Sequence, residues 1–245
     1  MTYCVGMMLD RGLVMMSDTR TNAGVDNIAT FNKMTTWEVP GDRALVLMSA
    51  GNLATTQSVV SLLDERTKAH DQRSPSILEA PSMFQVARLV AETLRDVISM
   101  HEASGPKAAS PFSATLLLGG QIDGGPPRLF MIYPEGNFIE ASGDNPFFQI
   151  GETKYGRPIL VRAFDPEMSF EEALKLLIVS FDSTLKANLS VGLPFDFQLY
   201  ETDSLRLGLR SRIQDDDPYF QQISSGWGEA LKQALDSLPD FVLEK

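Results

Sequence analysis

Three stretches of this chain are apolar at almost every consecutive position: Leu13-Val14-Met15-Met16, Ala44-Leu45-Val46-Leu47-Met48 and Ala114-Thr115-Leu116-Leu117-Leu118. Successive residues of a strand point to opposite faces, so such runs call for strands covered on both sides. Turn residues mark further strands at 128–133 and 137–142, separated by Pro134-Glu135-Gly136, and others at 196–201 and near 204–208. Helical periodicity covers 53–69 and 83–103; in the second, Ala87, Val90, Ala91, Leu94, Val97 and Ile98 form one stripe. The intervening 71–82, with Pro75 and Pro81, reads as a surface loop. Ser169 followed by Glu171-Glu172 predicts an N-capped helix running to about 186, and a last helix is expected over 218–237. Two groups of doubly buried strands are satisfied when one sheet packs on the other and helices cover the outside. The expected fold is α+β, a four-layer αββα sandwich, with 1–245 forming one domain.

The first strands carry a second constraint. Residues 3–9 and 12–17 are apolar and flank Asp10-Arg11, next to a glycine, which predicts an antiparallel hairpin. A two-residue turn there puts Leu9 opposite Gly12 and Thr2 opposite Thr19, beside Asp18 and Arg20. Cross-strand neighbours lie about 4.5–5.5 Å apart at Cβ, so the start of the chain is delivered to a polar strand end. A slip of one residue flips every side chain to the other face.

That placement has a chemical meaning if Met1 is removed. Thr2 then carries a hydroxyl nucleophile and a free amine on one residue, and such an amine is one recognised base for activating the hydroxyl. An α-amino group has a reference pKa of about 7.7–8.0, whereas a lysine near 10.4 needs burial or neighbouring charge before it accepts a proton. Lys33 follows in Asn32-Lys33, and an aspartate beside it orients it while favouring its charged form. Taken singly, each residue has an ordinary reading. A second-position threonine is a frayed terminus, Asp18 a solvated strand end, Lys33 a surface lysine and Gly51 a turn glycine before a helix. The strand that starts immediately at Tyr3 favours the chemical reading.

Composition narrows the alternatives. A net charge of −11 argues against nucleic acid or an anionic membrane as partner. No run approaches the ~18 apolar residues of a membrane span, and the first residues lack the basic segment and cleavage site of a signal peptide. The cytoplasm is the expected location. The one cysteine, Cys4, excludes an intrachain disulfide and reads as a small buried hydrophobe. His70 and His101 lie apart, without metal-ligand spacing, and both read as surface residues; no metal and no cofactor is expected. Gly119-Gly120 and Gly124-Gly125 read as turn glycines at a strand end.

Thr2 heading the first strand, Ser17-Asp18-Thr19-Arg20-Thr21 with Gly24, Asn32-Lys33 and Met48-Ser49-Ala50-Gly51 before a helix together resemble the β-type subunits of proteasomes. Within that family the chain is most similar to the bacterial Anbu-type homologues, from Thr2 through about 192. The resemblance implies the N-terminal-nucleophile hydrolase fold, Thr2 as nucleophile, Asp18 as acid, Lys33 as activating lysine and the backbone N–H at Gly51 as oxyanion donor. It implies Arg20 as a supporting residue and Met48 as a wall of the substrate pocket. A serine and a second aspartate assist in that family; here Gln149-Ile150-Gly151-Glu152-Thr153 puts Ile150 near the serine's place. Asn188 falls near the aspartate's, with Ser190 close by. The implied activity is threonine-type peptide or amide hydrolysis by a self-assembling subunit acting on peptide or unfolded protein. Identical subunits in a large homo-oligomer are the implied partners, and an unfoldase is left open. A small-molecule amidase of the same nucleophile class and a non-catalytic assembly subunit are the alternatives.

Overall fold

A computed structural model describes residues 2–22, 28–68, 75–104 and 112–243; Gly24, His70 and the start of the 71–82 loop lie outside the described residues. β1 (Tyr3–Leu9) and β2 (Gly12–Asp18) pair antiparallel about Asp10-Arg11, with Leu9 opposite Gly12 and Cys4 opposite Ser17. This is the register that the two-residue turn dictates. β10 (Phe147–Gly151) lies on the other side of β1, while β11 (Phe195–Glu201) and then β12 (Arg210–Ile213) extend the sheet beyond β2. The second sheet runs in chain order through β5 (Met34–Val39), β6 (Arg43–Gly51), β7 (Ala114–Ile122), β8 (Arg128–Ile132) and β9 (Phe138–Glu140). A two-stranded ribbon of β3 (Arg20–Asn22) and β4 (Ile28–Thr30) follows directly on β2.

The apolar runs are buried on both faces because the sheets stack and helices cover them. In β1, Tyr3, Val5, Met7 and Leu9 pack with Leu160 of α3 (Arg157–Ala163) and Leu177 and Phe181 of α4 (Phe170–Ala187). Cys4 turns the other way, into a central cluster with Leu13, Met15, Met48, Leu117 and Leu129. In β6, Leu45 and Leu47 face α1 (Leu53–Lys68) and α2 (Met83–Ser104), while Val46 and Met48 face the first sheet. α5 (Pro218–Asp236) adds Phe220 to the outer face of the first sheet. The order is helices, sheet, sheet, helices: the expected four layers. Ser169 caps α4 in a capping box with Glu172, as its sequence pattern requires.

Several details differ from the sequence reading. Gly119 and Gly120 lie inside β7, not in a turn; a Cβ at Gly119 would press on Met15 across the sheet interface, so the small residue permits close stacking. No strand forms over 204–208, because Asp203 and Leu205 adopt positive φ (62° and 45°) that breaks the pleat. The edge strand lies further on, at β12. His101 is half-buried, its ring 5.3 Å from that of Phe112 and its Nδ1 3.5 Å from Thr55 Oγ1.

Candidate active site

Thr2 sits just before β1 and is 8% exposed. Strand alternation puts it on the side of Cys4, facing the second sheet. Its position is fixed by the next residue. The Tyr3 hydroxyl accepts a hydrogen bond from Gln149 Nε2 at 2.6 Å and lies 2.7 Å from Ser180 Oγ, which donates to Gly156 O at 3.2 Å. The Tyr3 ring stacks 4.4 Å from that of Phe181. Burial pushes the Tyr3 phenol up to about 12, so this anchor is neutral.

Asp18, the last residue of β2, is fully buried. Its Oδ1 accepts the Tyr3 N–H at 3.0 Å and the Lys33 ammonium at 2.7 Å; Oδ2 faces the Gly192 N–H at 3.4 Å. Burial raises the Asp18 carboxyl above the usual aspartate value, and Lys33 with the two backbone donors works against that rise. Lys33 is 7% exposed and also donates to the Arg20 carbonyl at 2.5 Å. One carboxylate oxygen therefore joins the Thr2–Tyr3 peptide to the lysine.

The two partners arrive on different sheets. Lys33 immediately precedes β5, and its carbonyl accepts from Ser49 N–H of β6 at 3.0 Å. Gly51 ends β6 two residues further on, with φ of +121°. Backbone N–H groups at i and i+2 of a strand point to the same side, so the Gly51 N–H points to the Lys33 side of β6. A Cβ at Gly51 would lie 2.5 Å from the Ser113 carbonyl, which excludes any larger residue without displacement.

The remaining sequence-derived residues divide. Arg20 lies over the 189–192 turn, donating to the Leu189 carbonyl at 3.1 Å, with its guanidinium in the space that the missing Cβ of Gly192 leaves. Asn188 caps the C-terminus of α4; its Oδ1 accepts the Ser190 N–H and its Nδ2 donates to Glu152 Oε2, both at 2.9 Å. Ile150 is buried in the central cluster, so it is Glu152, two residues on, that meets Thr2, donating its N–H to the Thr2 carbonyl at 2.7 Å. Glu152 was not singled out by sequence; the signal was its place just after Gly151, at the end of the strand that pairs with β1. Met48 is wholly buried in the central cluster and presents no surface to a ligand. Among the described residues no group of three or more His, Cys, Asp or Glu stands ready to hold a metal ion.

Gly151 is the tightest point. It has φ of +84°, and a Cβ there would overlap the Thr2 carbonyl. Gly151→Ala is expected to destabilise the fold by about 1–3 kcal/mol, read as a lower urea midpoint, because both the backbone conformation and the Thr2 contact oppose a side chain.

Residues 2–192 match the family described as proteasome subunit, and the chain belongs to that family. Among solved structures it is similar to Anbu from Hyphomicrobium sp. strain MC1, at 48% identity and a TM-score of 0.91 over 98% of this chain and 100% of that one. Anbu from Yersinia bercovieri, described as an ancestral beta-subunit, gives the same values. The helical assembly of the Anbu complex from Pseudomonas aeruginosa matches at 47% identity and a TM-score of 0.91, over 98% of each chain. No curated protein sequence matches the chain.

Proposed function

We propose that this chain is a threonine-type peptide or amide hydrolase in which Thr2, freed of Met1, is the nucleophile. The observation that carries this reading is the shared Asp18 Oδ1, which binds both the peptide N–H following Thr2 and the Lys33 ammonium. Thr2 Oγ1 attacks the carbonyl carbon of the substrate as its proton passes to Lys33 or to the Thr2 amine, whichever of the two is in its neutral form when the bond is made. The oxyanion that forms takes a hydrogen bond from the Gly51 N–H, a backbone donor that needs no reorganisation as charge develops. Collapse expels the amine half of the substrate, which takes up a proton, and leaves an acyl ester on Thr2. Water then attacks that ester, gives up a proton to the same base and regenerates the hydroxyl.

The chain is further proposed to work as one domain among identical subunits in the cytoplasm. Leu231, Leu235, Leu238, Phe241, Val242 and Leu243 are 50–87% exposed, a concentration of apolar surface that fits contacts between copies. The P. aeruginosa relative, a helical assembly, supports the same reading. Among the described residues no helix is long and apolar enough to cross a membrane.

Intact mass spectrometry of the purified protein, before and after treatment with a peptide epoxyketone, tests the chemistry. The expected result is loss of the mass of Met1 and one adduct per chain, located on Thr2. An unprocessed chain, or an adduct elsewhere, overturns the reading.

A further inference from the structure

β1 is flanked by β2 and β10, and each neighbour brings one carboxylate to its start. From β2 comes Asp18, neutralised by Lys33. From the end of β10 comes Glu152, bound to the Thr2 backbone through its own N–H. Its carboxylate is oriented through Oε2 by the Asn188 amide, and Asn188 is itself held by the Thr184 carbonyl and the Ser190 N–H. The turn from Asn188 to Gly192 therefore touches both carboxylates, since Gly192 N–H faces Asp18 Oδ2. Among the described residues, Glu152 has no cationic partner. A partly buried carboxylate beside a chain start, braced by a neutral amide and left without a counter-charge, lacks the cation that would balance it.

We propose that Glu152 is the positioning residue for the Thr2 amine. It receives the ammonium exposed when Met1 is removed and so sets the direction in which the adjoining hydroxyl points. The inference rests on the proposed Thr2 nucleophile. It extends that reading by separating two tasks: Asp18 orients Lys33, and Glu152 holds the amine. A carboxylate paired with an ammonium favours the charged form, so an amine held by Glu152 would have its pKa raised. Among the described residues, the other charged groups of the site are Asp18 on β2, Lys33 before β5 and Arg20 on β3. The end of β6, Ser49-Ala50-Gly51, brings no charge, and burial keeps the Cys4 thiol protonated.

The test compares the wild-type chain with Glu152→Gln, which is isosteric and retains an oxygen to accept from Asn188. Cyanate carbamylates only neutral amines, so the rate at which the Thr2 amine is modified, followed across pH by mass spectrometry of the N-terminal peptide, reports its pKa. The expected result is a midpoint about one pH unit or more lower in Glu152→Gln than in wild type. Asn188→Ala, which frees the carboxylate to wander, is expected to move it part of the way. A Glu152→Gln midpoint equal to the wild-type one, with Met1 absent from both, overturns this inference and leaves the nucleophile standing. A wild-type chain that retains Met1 overturns both.

Discussion

Thr2→Ala is expected to lower hydrolysis of peptide or amide substrates by at least about 10³-fold and to abolish the epoxyketone adduct. The fold should be untouched. Thr2 is a short side chain at a strand start, and the contacts that fix its backbone, from Glu152 N–H and through Tyr3, do not involve its hydroxyl. The amine survives in the variant, so the experiment separates the two groups that Thr2 carries. Turnover measured with a fluorogenic peptide and with a small amide, alongside sedimentation velocity to follow assembly, gives a clear reading. Residual activity near the wild-type value would place the chemistry elsewhere.

Lys33→Met is expected to cost stability as well as activity. It leaves Asp18 ionised and wholly buried without its counter-charge, and breaking a buried pair from one side typically costs about 3–5 kcal/mol. The loss should depend on pH, with a sign fixed by the carboxyl. Burial already raises Asp18 above its unfolded value, and removing Lys33 raises it further. The folded variant thus binds a proton that the unfolded chain has released, so its stability falls as pH rises from about 4 through the folded pKa and then levels off. The deficit relative to wild type is small in acid and full at neutral pH. Urea titrations at several pH values measure it. Adding Asp18→Asn to Lys33→Met should recover most of the loss at neutral pH, because no unpaired charge is then buried; a double variant as unstable as the single one would contradict this account.

The architecture was legible where sequence pattern and turn chemistry agreed. The hairpin register followed from a two-residue turn between apolar runs, and it carried Thr2 and Asp18 to one place. β6, β7 and the α4 cap were equally plain, since doubly buried strands and a serine ahead of two glutamates leave little else to form. Other elements gave weaker signals. β12 reads Arg-Ser-Arg-Ile, with only Ile213 buried, because it is an edge strand held by pairing to β11 and by Arg212 on Asp196. β10 owes its form to β1, a partner distant in sequence, whereas the half-exposed β5 is held by its hairpin pairing to β6. Within the candidate site, the Asp18–Lys33 pair was anticipated, whereas Glu152 emerged only from the contact between β10 and the start of β1. Nothing local to Gly151-Glu152-Thr153 announces which strand it will meet.

Because the aspartate rides on one sheet and the lysine leads into the other, neither half of the molecule holds the proposed centre by itself. Competence is a property of closure. During refolding, the proposed reactivity should return only once the two layers have docked.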